Sequence, residues 1–100
     1  HMNIRLKALA DPNRMKIVQI LLRHNMCVHS LSKKLGITQA AVSQHIKVLR
    51  EAGLIKGEKK GYFMHYEVDR EALRELAAQI NALADTVKCE CNSNCHKEEK

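Results

Sequence analysis

Leu31–Arg50, LSKKLGITQAAVSQHIKVLR, is the stretch whose reading decides the fold. It describes two short helices joined by a tight turn. Leu31 and Leu35 mark the apolar face of a first helix that stops at Gly36, the residue type that best tolerates the left-handed backbone of a helix C-terminus. Thr38 offers a hydroxyl as N-cap of the second helix, in which Val42, Ile46 and Leu49 recur at helical spacing and face a core. Gln39 in the exposed first turn, with Ala40, Ser43, Gln44 and Lys47, falls on another face. Those side chains are short or carry amides, so they approach base edges closely, and a Lys beside them holds phosphate. The pattern is a helix-turn-helix whose second helix is built for a DNA groove.

Upstream, Ile4–Ala10 is a short helix candidate. Asp11-Pro12 then restarts the chain, with Asp as N-cap and Pro at the first helical position. The helix that follows buries Ile17, Ile20 and Leu21 and is expected to end near His24-Asn25, after which Met26–His29 leads into the helix-turn-helix. Downstream, the reading helix ends at Gly53 and the period changes. Tyr62, Met64, Tyr66 and Val68 alternate with Phe63, His65 and Glu67, a strand pattern. The basic segment Gly57–Gly61, GEKKG, reads as the turn between two strands. A hairpin directly after a reading helix makes a wing, with Lys59 and Lys60 along the phosphate backbone or at the minor groove.

Asp69 caps a last long helix in which Leu73, Leu76, Ala77, Ile80, Leu83, Ala84 and Val87 keep helical spacing. That stripe is too long for one neighbouring helix to cover, so Leu73, Leu76, Ile80, Leu83 and Val87 are expected to meet a second copy in a two-fold homodimer. Such a dimer also sets two reading helices about one DNA turn apart. The expected fold class is mainly α with a small β-hairpin, a winged helix-turn-helix homodimer. Residues 3–87 form the DNA-binding and dimerisation domain, and 88–100 a polar, flexible, Cys-rich tail.

The chain has 100 residues, enough for one domain with a modest core, and 17 Lys and Arg against 11 Asp and Glu give a net charge of +6, which suits a polyanionic partner. No apolar run approaches the roughly 18 residues of a membrane span, and no signal-peptide pattern opens the chain. The expected compartment is the cytoplasm, with no membrane partner. There the four cysteines, Cys27, Cys89, Cys91 and Cys95, are reduced, metal-binding or redox-active rather than bridged. Nothing in the chain pairs a nucleophile with a base or forms a cofactor loop, so an enzyme is not expected.

In Ala8–Leu22 (ALADPNRMKIVQILL), Cys27–Ile55 and the wing Gly57–Val68 (GEKKGYFMHYEV), the chain resembles the ArsR/SmtB family of small bacterial winged-helix repressors. The resemblance covers nearly everything up to Val87. It implies a homodimer on an imperfectly palindromic double-stranded DNA operator, released by a soft metal ion or metalloid. Base contacts carry over onto Gln39, Ala40, Ser43 and Gln44, with wing support from Lys59, Lys60 and Tyr62.

Two places offer thiolates to such an inducer. Many metal-sensing members of that family carry Cys-Val-Cys where this chain has Cys27-Val28-His29, and the thiolate and imidazole of Cys27 and His29 both suit a borderline or soft ion. They do not complete a site, and a Cys before a helix is also a small buried hydrophobe. A second family site lies between the two long helices, but the matching residues, Asp69, Glu71, Ala82 and Asp85, include no histidine, and Ala82 ligates nothing. The tail is richer. Cys89, Cys91, Cys95 and His96 set three thiols and an imidazole within eight residues, a donor set for As(III) or Sb(III), or for Cd, Pb or Zn. No cofactor is needed for folding. A thiol-redox repressor of the same fold is the alternative, and a metal-buffering protein with an incidental basic surface is a further one.

Overall fold

Helix starts and stops follow from a few capping residues. The computed structural model describes residues 2–89, running α1 (Met2–Leu9), α2 (Pro12–Leu21), α3 (Val28–Leu35), α4 (Gln39–Glu51), β1 (Ile55–Lys60), β2 (Phe63–Val68) and α5 (Arg70–Ala84). Asp11 caps α2, its Oδ2 accepting from the backbone N–H of Asn13 at 2.9 Å and of Arg14 at 3.0 Å. The Arg14 N–H, with the Arg14 guanidinium behind it, holds the Asp11 carboxyl below the usual carboxylate range against the opposing effect of desolvation. Thr38 Oγ1 accepts from Ala41 N at 3.1 Å to start α4, and Asp69 Oδ1 from Ala72 N at 3.2 Å to start α5.

The turn between α3 and α4 is tied by one serine. The N–H groups of Gly36 and Ile37 both close on the Ser32 carbonyl, at 2.9 and 3.3 Å, and Ser32 Oγ donates to the Ile37 carbonyl at 2.6 Å. Gly36 takes φ +68°, the left-handed conformation this reversal needs. Leu31, Val42, Ile46 and Leu49 then form a seam between the helices, buried together with Ile17 and Val18 of α2, Leu54, Ile55, Tyr66, Val68 and Ala72. Two arginines bind α1 to this body. Arg5 donates to the Ala52 carbonyl at 3.2 Å and to Glu75 Oε1 of α5 at 3.0 Å, and Arg14 donates to the Ala8 carbonyl at 2.7 Å.

Four expectations change. The GEKKG segment is strand through Lys60, and the turn is Gly61-Tyr62, because the register runs from Ile55 opposite Val68 to Lys60 opposite Phe63. Gly61, at φ +64°, supplies the positive first position of a two-residue II′-like turn, and Tyr62 keeps negative φ. Met26 adds a single bridge to Tyr66, the Tyr66 N–H donating to the Met26 carbonyl at 2.8 Å. Helix α2 stops at Leu21, short of His24-Asn25. Helix α5 stops at Ala84, leaving Val87 outside it, since Asp85 and Thr86 are weak helix formers and the Thr86 N–H closes a three-residue turn on the Leu83 carbonyl at 3.2 Å. Leu76, expected on the uncovered stripe, is buried against its own chain.

A Cβ at Gly36 meets nothing within 4 Å, so Gly36→Ala should cost only the left-handed backbone penalty, about 1–2 kcal/mol. Leu49→Ala should cost about 2–5 kcal/mol through the cavity it opens in the seam. Urea denaturation of both variants beside the parent checks the two values.

Candidate nucleic-acid interface

Helix α4 separates its residues cleanly. Val42, Ile46 and Leu49 point into the seam, while Gln39, Ala40, Ser43, Gln44 and Lys47 are all exposed on one face. Gln39 and Ala40 lead, because the helix begins at Gln39. The Gln39 amide is already engaged: its Nε2 donates to His29 Nδ1 at 3.0 Å, across from the first turn of α3. His29, read from the sequence as a metal ligand, therefore sits beside the reading surface. No spacing rule joins positions 29 and 39; only the bend at Gly36 does.

Behind the helix lies a polar contact that sequence reasoning missed. Arg14 Nη1 approaches His45 Nδ1 at 3.4 Å, and His45 lies 4.0 Å from Asp11 Oδ2. A guanidinium only donates, so a bond to Arg14 uses Nδ1 as acceptor, whereas the Asp11 contact is an ion pair only when His45 is protonated. The start of α2 is thereby keyed to the middle of α4. The Asp-Pro-x-Arg segment contained the capping signal but nothing that pointed to His45.

The wing divides its two lysines. Lys59 pairs with Met64 and Lys60 with Phe63, so the alternation of a strand sends them to opposite faces of the ribbon. Lys60 Nζ lies 3.2 Å from Glu58 Oε1, whereas Lys59 has no carboxylate partner among the described residues. Tyr62, 98% exposed, stands at the tip.

Cys27 occupies the N-cap position of α3, half-buried, with Sγ 3.4 Å from Ser30 Oγ. The Ser30 hydroxyl, then the Ser30 backbone N–H, pulls the thiol below its ordinary value. Among the described residues no three His, Cys, Asp or Glu side chains gather as a metal site. Cys89 is exposed, is the last described residue and is disulfide-bonded, contrary to the expectation that the cysteines are not bridged, and Cys91, Cys95 and His96 lie outside the described residues. Asp69 is engaged in capping α5 and Glu71 pairs with Arg74 at 2.6 Å, so two of the positions matched to the interhelical metal site already have partners. On α5, Leu73 is half-buried, while Ile80 and Leu83 stay 44% and 59% exposed, and Ile4 of α1 is 58% exposed. No described helix is long and apolar enough to cross a membrane.

The model of bacterial regulatory proteins of the arsR family matches residues 11–56, α2 through the first residues of β1. The arsenical resistance operon repressor of Bacillus subtilis is 35% identical over 74 residues, covering 73% of this chain and 70% of that protein. The chain belongs to the arsR family. The HTH-type transcriptional repressor SmtB of Mycobacterium tuberculosis is 43% identical over 72 residues, and there the arsR-family chain described here spans only 47% of its relative's length. A homodimeric winged helix-turn-helix DNA-binding domain from Mycobacterium bovis shares the fold, with TM-score 0.68 at 23% identity over 83% of this chain and 77% of that one. These relatives of the arsR-family chain are transcriptional regulators, not enzymes.

Because Ser30 lowers the Cys27 thiol, iodoacetamide should alkylate Cys27 with a pH midpoint below that of a free thiol. Ser30→Ala should move that midpoint upward and slow alkylation at neutral pH; mass spectrometry of the Cys27 peptide reads both.

Proposed function

We propose that this arsR-family chain is a transcriptional repressor that binds an imperfectly palindromic DNA operator as a homodimer and leaves it when a soft metal or metalloid meets its cysteine thiolates. The observation that carries the DNA half is the exposed face of α4, where Gln39, Ala40, Ser43, Gln44 and Lys47 stand free of the core beside a basic wing. Amides and small side chains at a helix N-terminal half suit base edges, and Lys47 and Lys59 suit phosphate. The dimer reading rests on Ile80 and Leu83 of α5 with Ile4 of α1, apolar side chains left uncovered in one chain. In this reading residues 3–87 read DNA and dimerise, with Leu73 and Val87 flanking the contact and Leu76 packed inside its own chain, and 88–100 carry sensor thiols. A DNA partner supports a cytoplasmic location.

In the reduced form, three sulfurs and an imidazole in Cys89, Cys91, Cys95 and His96 support As(III), Sb(III), Cd, Pb or Zn as inducer, with Cys27 as a further donor. One observation favours a second reading, a thiol-redox repressor: Cys27 has a lowered pKa and is half-exposed, the two properties of a reactive thiol.

The decisive experiment is release of a bound palindromic duplex by each of these ions under anaerobic, reducing conditions, with Cys→Ser variants alongside. Release by a metal or metalloid supports the first reading; release only by oxidants supports the second. On DNA, Gln44→Ala or Ser43→Ala should narrow the gap between operator and scrambled duplex. Lys59→Ala should weaken binding to every sequence and reduce the salt slope by about 1. Lys60→Ala should do less, because Lys60 lies 3.2 Å from Glu58 and shares its charge with that carboxylate. Leu83→Glu should shift sedimentation toward the monomer.

A further inference from the structure

The Gln39 amide is held in place before any DNA arrives. Its Nε2 lies 3.0 Å from His29 Nδ1. An amide nitrogen only donates, so Nδ1 is the acceptor and the imidazole carries its proton on Nε2. A Gln amide has two N–H groups and one carbonyl. With one N–H committed to His29, Gln39 keeps one N–H and its carbonyl. That is the pair which N7 and the N6 amino group of adenine engage bidentately in the major groove.

Gln44, the other amide on the exposed face, makes no hydrogen bond among the described residues. It is free to turn either amide edge to DNA and must lose that freedom on binding. In Gln39 the bond to His29 restrains that choice. The hold is rigid at both ends, since His29 lies in the first turn of α3 and Gln39 is the first residue of α4. The Gly36 reversal and the three Ser32 bonds fix the separation of those two turns.

We propose that His29 is a positioning residue for base readout: by accepting from Gln39 it fixes the amide in the orientation that favours adenine at one step of the operator. This rests on the DNA-reading face proposed above. It gives His29 a role in sequence discrimination rather than in affinity for phosphate.

The test uses a duplex selected from a random-sequence library by the full chain, with each base pair then varied in turn and a scrambled duplex as control. Kd is measured at fixed salt for the parent, His29→Leu, His29→Asn, Gln39→Ala and the His29→Leu, Gln39→Ala double variant. His29→Leu should relax discrimination about threefold to tenfold, the worth of one neutral hydrogen bond, at the position that Gln39→Ala relaxes. Scrambled-duplex affinity and the salt slope should stay unchanged. His29→Asn, whose amide oxygen offers an acceptor near the place of Nδ1, should restore most of the preference. The double variant should match Gln39→Ala alone. Uniform loss on every duplex, additive losses in the double variant, or no rescue by Asn would each overturn the positioning role. If Gln39→Ala relaxes one position and His29→Leu relaxes none, the positioning role alone fails. If Gln39→Ala leaves every preference intact, the base-reading role of Gln39 fails first and takes this inference with it. His29 is exposed, so equal melting temperatures for parent and variants serve as the folding control.

Discussion

The buried seam between α3 and α4 is the constraint on which the rest of the molecule depends. Leu31 meets Val42, Ile46 and Leu49 only if the chain reverses within Gly36–Thr38, and the reversal needs a residue at φ +68°. An L-residue with a Cβ pays a steric penalty there even in open space, so Gly is favoured by backbone sterics and not by crowding. Ser32 then fixes the angle by accepting two N–H groups through its carbonyl and donating its hydroxyl to Ile37. Once the angle is set, the outward face of α4 is set with it, and so is the approach of His29 to Gln39.

Polar ties from outside the seam stop α4 from turning on its core. Arg14 links α1 and α2 to His45 on the helix flank, and Arg5 links α1 to the end of α4 and to Glu75 of α5. The two guanidinium groups thus join α4 to α1 and α5, the two elements that carry the uncovered apolar side chains Ile4, Ile80 and Leu83. His29 adds a simpler coupling. Nδ1 cannot accept from Gln39 and ligate an ion at once, so the residue first read as a metal ligand serves base reading or coordination, never both through that atom.

Electrostatics refine the picture drawn from net charge. A total of +6 gives no direction, whereas the strand register gives one: Lys59 and Lys60 leave opposite faces of the ribbon, and Glu58 holds only Lys60. Adjacent lysines that look equivalent in a list of basic residues are thus unequal partners for phosphate.

The sequence by itself determined the element order, the caps at Asp11, Thr38 and Asp69, the turn at Gly36 and the two faces of α4. These are local matters of backbone sterics, hydrogen-bonding side chains and helical period, all encoded within a few residues. Its placement of the wing turn was wrong by a few residues, because a Gly-bounded basic run resembles a loop until strand pairing shows otherwise. Only the tertiary structure decided that Leu76 is covered by its own chain, that Met26 joins the wing through one bridge, and that His29 reaches Gln39 while His45 reaches Arg14. Those contacts join residues 10 or more positions apart by packing the helices across one another, and packing leaves no periodic trace in the chain.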